Sequence, residues 1–431
     1  MTWCLYADPV NTPDLTELAR RVRTASQSVA RAPGPVRDDA LRMAADLLEQ
    51  ESAAVLLANR GDLARAESGG MAASAQDRLR LSGERIRAMA AGLRGVATLA
   101  DPVGEVVDGW VRPNGLRVSR VRVPLGVVGV IYENRPNVTS DAAGLCLKAG
   151  NAAFLRGSAS ALASNQAIVS ILRRAVEKAG LPADAVALVE DTSHETAVAF
   201  MRLRGLIDCL IPRGGPALIA SLLENATVPY VLDGDGNCHV YIDAAADLTM
   251  ALDIVVNAKT HRFGVCNAAE TILVHAAVAA SFLPAMAEAL VTAGVELRGD
   301  ERVRAVVPVA GGVAVAVATE SDFATEFLGP TVAVAVVDDL EGAIEHIARF
   351  SSGHSEAIVT TDVRAADRFV AEVDAAAVLV NASTRFIDGE ELGLGAEVGI
   401  STQKLHARGP MGVRELTSVK WVVRGDGQVR R

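Results

Sequence analysis

The segment from Asn257 to Thr271, NAKTHRFGVCNAAET, sets one cysteine, Cys266, where nucleophilic chemistry could be done. Gly264, two residues before it, lets the backbone come close to a reacting carbonyl. Lys259, His261 and Arg262 lie just upstream, where positive charge favours thiolate over thiol. A thiolate there would attack an activated acyl carbon and form a thioester. Its own backbone N–H and a nearby amide could hold the developing oxyanion. The competing reading is an inert core cysteine, the commoner fate of this residue among apolar neighbours.

Three further segments could hold phosphate groups: Glu133-Asn134-Arg135-Pro136-Asn137, Arg156-Gly157-Ser158 and Pro212-Arg213-Gly214-Gly215-Pro216. Each places arginine or bare glycine backbone beside a helix start. Gly and Pro also punctuate any strand-to-helix connection, so each has an ordinary structural reading. There is no G-x-G-x-x-G; a nucleotide site here must follow another loop geometry. Metal chemistry finds little support, since C-x-x-C and H-E-x-x-H are absent. Adjacent Cys238 and His239 on a strand would point to opposite faces.

The elements that must position these residues are legible from periodicity. Leu15, Leu18, Val22, Ala25 and Val29 recur at helical spacing, and similar patterns run from 36 to 59 and from 82 to 99. From Gly104 to Val123 the sequence alternates around Asn114-Gly115, which predicts a hairpin with a two-residue turn. A lone ribbon is barely stable in water, so this arm should pair with another subunit or with the chain's own end. After it VVGVIY, AAFLRG, VALVE and LIDCLIP alternate with helical stretches. Such a βα series predicts a parallel sheet with ligands at its carboxyl-end loops.

At 431 residues the chain should hold two or three domains. Half of it is apolar and only 4% aromatic, which suits an α/β enzyme. A net charge of −10, without basic patches interleaved with aromatics, excludes nucleic acid as a partner class. The opening MTWCLYADPV has no basic residues ahead of an apolar run and reads as neither secretory signal nor transit peptide. His275 to Val295, interrupted by Pro284 and Glu288, reads as an Ala-rich buried helix and not a membrane span. Five cysteines without regular spacing fit a reducing, cytoplasmic setting.

Taken together, VPLGVVGVIYENRPNVTSDAAGLCLKAGN, LIPRGGPALI, GDGNCHVYID, AKTHRFGVCNAAET, SSGHSEAIVT, VLVNASTRF and GAEVGISTQKLHARGPMG resemble the gamma-glutamyl phosphate reductase family of the aldehyde dehydrogenase superfamily, from about residue 10 to the end. The resemblance implies an α/β, aldehyde dehydrogenase-like fold. A Rossmann-type NADP-binding domain would comprise 1–103, 126–232 and 355–382, and an α/β catalytic domain 233–354. A β-hairpin oligomerisation element would comprise 104–125 and 383–431. It implies that Cys266 is the nucleophile and that Asn134 is its oxyanion partner, with Asn137 as a second candidate. Arg156 and Ser158 fall at the adenosine ribose of NADPH, Gly214 and Gly215 under the pyrophosphate, and Glu326 of EFLGP at the nicotinamide ribose.

In acid-forming aldehyde dehydrogenases a glutamate that activates water stands in the segment reading GDGNCH here, which has none; Asp233 and Asp235 read as turn residues. A reductase gains by keeping water from the thioester until hydride arrives. The implied substrate, L-glutamyl 5-phosphate, is anionic. Arg135, Arg385, Lys404, His406 and Arg408 form the basic pool that could hold it, with Asn137 and Asn267 as polar contacts. A homo-oligomer and an interaction with glutamate 5-kinase are the expected partnerships. Two alternatives share the motifs: an acyl-reducing dehydrogenase of a related specialised pathway, and a non-catalytic scaffold for the kinase.

Overall fold

The computed structural model describes residues 13–307 and 314–430, so the MTWCLYADPV stretch lies outside the described residues. The chain divides into two compact units. One runs through Leu232 and regains Gly393–Gly399 and Met411–Arg431; the other holds Asp233–Leu392 and Ile400–Pro410.

The first unit opens with helices Pro13–Arg31, Gly34–Gln50, Ser52–Ser68, Ala73–Leu79 and Gly83–Thr98. The single helical run expected from 36 to 59 is broken at Glu51, whose φ of −102° and ψ of 18° leave the helical region. The helix expected from Ser82 starts there because the Ser82 hydroxyl accepts the Arg85 N–H at 3.1 Å. Leu15, Ala19 and Val22 face inward and pack with Phe154 and Phe200 against the sheet.

That sheet is parallel: Val127–Tyr132 (β3), Ala152–Arg156 (β4), Val186–Leu188 (β5) and Cys209–Arg213 (β6), in the order β5-β4-β3-β6. All six residues of β3 are buried, as a strand covered on both faces requires. The chain steps outward from β3 to β5 and returns to lay β6 on the other side. The order therefore reverses between β3 and β6, where open α/β sheets bind ligands.

The arm is a three-stranded antiparallel sheet of Val106–Val111 (β1), Arg117–Pro124 (β2) and Thr417–Arg424 (β14). Of the two partners expected for it, the chain's own end pairs along β2 from Thr417↔Pro124 to Arg424↔Arg117. The two-residue turn is corrected. The Arg112 carbonyl accepts from Gly115 at 2.9 Å, Arg112 donates to the Leu116 carbonyl at 2.8 Å, and Gly115 at φ +87° is the left-handed residue of the loop. Pro113 fixes a negative φ at the first turn position, which selects a three-residue connection closed by a glycine.

The second unit is built on a seven-stranded parallel sheet: Cys238–Ile242 (β7), Ala269–His275 (β8), Glu296–Gly299 (β9), Val315–Val317 (β10), Thr331–Val337 (β11), Ser355–Val359 (β12) and Ala377–Val380 (β13). Its order is β10-β9-β11-β8-β7-β12-β13. Residues 355–382, expected with the cofactor domain, belong here: β12 pairs with β7 and β13. The segment expected with the arm after residue 382 is also divided, because 383–392 and 400–410 belong to this unit. The helix Ala276–Thr292 runs through Pro284 and buries Phe282, Leu283, Met286 and Leu290 in the core. Among the described residues no helix is long and apolar enough to cross a membrane.

Candidate active site

In the first unit the three phosphate-candidate loops meet. Strand register sets Ile131 beside Arg156 and Tyr132 beside Arg213, so the loops that leave β3, β4 and β6 emerge together at the switch point. Asn134 is left-handed at φ +45°, a conformation that Asn tolerates better than most residues. Its N–H donates to Ser158 Oγ at 3.2 Å. Its Oδ1 accepts from Ser158 at 3.4 Å and from the Ser160 hydroxyl. The two serines orient the amide with Nδ2 as its donor end. Ser160 was not singled out from the sequence; its signal was the small-residue run after β4.

Arg156 reaches from the end of β4 and donates through Nη2 to the carbonyls of Thr192 and Ser193, both at 2.9 Å. Burial holds its pKa below the ordinary arginine value, while Asp191 and Glu133 favour the charged form. Gly215 caps the helix Pro216–Asn225, and its N–H donates to the Glu133 carboxylate at 3.1 Å. A β-carbon on Gly214 would come 2.8 Å from that carboxylate. The exposed amide where a pyrophosphate oxygen was expected therefore already holds an anion, the side chain of Glu133. Arg135 occupies the cap of the helix Pro136–Lys148, and Asn137 donates to Asp141 at 2.9 Å. Burial pushes the Asp141 carboxyl up to about 6.

In the second unit Cys266 lies three residues before β8, at the amino end of the sheet, and is half-buried. The loops that enter β7, β8, β11 and β12 share that end because the strands are parallel. Gly236, in the GDGNCH segment, is packed on the thiol's own backbone: a β-carbon there would sit 1.7 Å from the Cys266 carbonyl oxygen. Cys238, two residues on, donates from Sγ to the same oxygen at 3.1 Å. Gly264, by contrast, is loosely packed within the protein: a β-carbon there would meet only Leu328 O at 3.7 Å.

Positive charge also reaches the thiol from farther along the chain. Lys259 is fully buried and ion-paired with Glu270. Arg385, on the turn Thr384–Phe386, is a cation coupled to sulfur. Burial lowers its pKa and Asp388 favours its charge; Arg262 opposes that charge, and the Cys266 and Cys238 thiols support it. Coulombic coupling is mutual, so Arg385 favours the thiolate of Cys266. Its Nε donates to His261 Nδ1 at 3.3 Å. Asn267 is framework beneath this turn: Nδ2 donates to the Ile387 carbonyl at 2.8 Å, and its own carbonyl accepts from the Thr384 hydroxyl at 2.7 Å.

Lys404 and Arg408 are both ion-paired with Asp374, and His406 is exposed. Asp233 accepts the Ile400 N–H at 2.8 Å, a long-range tie in place of a local turn bond, and Asp235 is exposed. Glu326 accepts the Gly236 N–H at 2.7 Å. Burial raises its pKa and that hydrogen bond opposes the rise. Among the described residues no group of three or more His, Cys, Asp or Glu side chains is arranged to hold a metal ion.

Known proteins match this arrangement along its length. The aldehyde dehydrogenase family profile covers residues 7–310 and 313–422. A gamma-glutamyl phosphate reductase of Moorella thermoacetica is 55% identical over 412 residues, 96% of this chain and 97% of that protein. One of Kineococcus radiotolerans is 53% identical over 413 residues, 96% of this chain and 95% of that protein. The crystal structure of the gamma-glutamyl phosphate reductase of Thermotoga maritima superposes with a TM-score of 0.93 at 47% identity, covering 97% of this chain and all of that one. An engineered glycolyl-CoA reductase with bound NADP+, 17% identical, shares the fold at a TM-score of 0.68, with 95% of this chain and 96% of that one covered. The chain belongs to the aldehyde dehydrogenase family and, within it, to the gamma-glutamyl phosphate reductases.

Proposed function

We propose that this chain reduces L-glutamyl 5-phosphate to L-glutamate 5-semialdehyde in proline biosynthesis, with release of phosphate, through a thioester on Cys266 and with NADPH as reductant. The observation that carries the reading is the half-buried Cys266, seated on Gly236 and coupled to the Arg385 guanidinium. Relatives at 50–55% identity that bear this activity in their names support the choice of substrate.

The first unit fits a dinucleotide. The Gly215 N–H at a helix start, bonded to a carboxylate oxygen, is the donor that a pyrophosphate oxygen takes. Arg156 at the end of β4 suits a ribose phosphate. NADPH, when bound, supplies hydride. Glu326 would then meet the nicotinamide ribose. We assign cofactor binding to the first unit, thiol chemistry to the second and subunit pairing to the arm.

Arg385 favours the thiolate of Cys266 and meets the incoming anion. Sγ attacks the acyl carbon, a C–S bond forms, and the C–O bond to phosphate breaks with its electron pair leaving on phosphate. The Cys266 N–H and Asn134 Nδ2 are the donors assigned to the oxyanion. GDGNCH carries no glutamate to activate water, so the thioester persists until hydride reaches its carbonyl carbon. The C–S bond then breaks, and the thiolate returns as the aldehyde leaves. Arg135 and Asn137 stay as candidate contacts to the amino-acid end. Lys404 and Arg408 secure the 400–410 segment through Asp374, with His406 beside them.

Trp110, Trp421 and Val423 are exposed on the arm, with the two indoles edge to face at 5.6 Å. Such an apolar patch suits burial by a second copy of the chain. A cytoplasmic homo-oligomer that receives its labile acyl phosphate from glutamate 5-kinase completes the reading.

The test runs the reaction backwards, with purified protein, glutamate 5-semialdehyde, phosphate and NADP+. Phosphate-dependent NADPH formation that disappears in Cys266→Ala supports substrate and nucleophile together. No signal from folded protein that still binds NADPH transfers the reading to another acyl substrate.

A further inference from the structure

Lys259 and Glu270 form an ion pair with both side chains fully buried. Lys259 lies at the end of the helix Leu248–Thr260, and Glu270 is the second residue of β8, four beyond Cys266. Burial pushes the Glu270 carboxyl up and the Lys259 amine down, and each partner's charge opposes the other's shift. A buried pair is weak evidence for stability, because apolar residues of similar volume often do as well. Its place here has to be sought in what else it touches.

Glu270 uses its second oxygen on a strained residue. Oε1 accepts the Leu328 N–H at 3.1 Å, and Leu328 stands at φ +49°, where a branched side chain is disfavoured. Two residues earlier on the same turn, Glu326 accepts the Gly236 N–H at 2.7 Å. Gly236 is the residue pressed against the Cys266 backbone. A continuous chain of contacts thus runs from Lys259 through Glu270, Leu328, Glu326 and Gly236 to the nucleophile.

We propose that Glu270, paired with Lys259, is a positioning residue: it holds the Glu326–Leu328 turn in its left-handed form, so that Glu326 stays on Gly236 and at the station where the cofactor's ribose binds. The cofactor half rests on the reading of Glu326 given above, whereas the hold on the turn and on Gly236 does not. Glu270 touches neither thiol nor substrate in this scheme. Its effect passes entirely through the turn.

Two double variants separate this role from simple core packing. Lys259→Met with Glu270→Met removes both charges and the acceptor for Leu328. Lys259→Gln with Glu270→Gln removes the charges but leaves an amide oxygen for Leu328 and a hydrogen bond within the pair. The readouts are amide hydrogen exchange at Leu328 and Gly236, and kcat and KM for NADPH. In the Met pair, exchange at both amides should rise at least about tenfold and KM for NADPH about tenfold, with kcat within about threefold. The Gln pair should stay within about threefold on every readout. Unchanged exchange at Gly236 in a folded Met pair overturns the proposal. Should that pair not fold, the unmodified enzyme decides: an unprotected Leu328 amide overturns the proposal, and one protected about a hundredfold or more supports it. Faster exchange with an unchanged KM retains the positioning role and removes the cofactor reading of Glu326.

Discussion

Gly236 and Cys266 share a backbone contact so close that a β-carbon on Gly236 would lie 1.7 Å from the Cys266 carbonyl oxygen and 2.4 Å from its Cα. The two residues are thirty apart in sequence, yet the register of β7 on β8 fixes them against one another. A glycine there is a steric requirement of the thiol's own position.

Gly236→Ala should therefore displace the nucleophile. Overpacking of this kind costs about 1–3 kcal/mol of stability, and a thiol moved by even half an ångström loses its line of attack. Turnover should fall by about a hundredfold or more while the protein remains folded. Gly264→Ala, which meets only ordinary contact, is the control. Steady-state kinetics with circular dichroism on both variants checks this, and equal losses would sink the steric argument.

Arg385→Met should raise the apparent pKa of the Cys266 thiol, because the coupled cation is gone. Alkylation by iodoacetamide at pH 7 would slow about tenfold, and Arg385→Lys should recover part of the rate. Rate against pH gives the shift directly. A profile unmoved in Arg385→Met would return the credit to His261 and Arg262.

Glu133→Gln should tighten NADPH. The carboxylate that accepts the Gly215 N–H stands where an incoming pyrophosphate would be repelled by it. Removal of that like charge should lower the dissociation constant about three- to tenfold, with the gain shrinking at high salt. Fluorescence titration at two ionic strengths measures both. Weaker binding in the variant would mean that Glu133 contacts the cofactor favourably.

Acid should destabilise the fold through a buried histidine. His354 is fully buried, with Nδ1 2.8 Å from Ser355 Oγ and 3.7 Å from Cys238 Sγ, and burial lowers its pKa to about 4 against a weaker opposing pull from Asp233. The unfolded chain binds this proton near pH 6.5 and the native chain does not. The stabilisation is complete above about pH 6.5 and is lost as pH falls towards about 4, at no more than about 1.4 kcal/mol per unit. His346, lowered to about 3 mainly by burial, adds in the same direction. Melting temperatures from pH 7.5 to 4.5 should fall less steeply in His354→Asn than in the native protein. Identical slopes would assign the acid sensitivity elsewhere.

By itself the sequence determined the elements and the chemistry-bearing segments. Period and turn residues mark β3 to β6, the arm and the long helices, because these are local steric and burial patterns written over a few residues. The NAKTHRFGVCNAAET motif marks Cys266 in the same way. Tertiary structure decided which residues serve that thiol. Parallel pairing brings the amino ends of β7, β8, β11 and β12 to one edge, so Gly236, Cys266 and the turn at Glu326 become neighbours across wide gaps in the chain. It also set Lys259 against Glu270 and brought Arg385, more than a hundred residues downstream, into coupling with the thiol. Proximity in the chain stands in for proximity in space only within one element. Which distant charge reaches a buried sulfur is fixed by strand order, and strand order follows from the packing of the whole sheet.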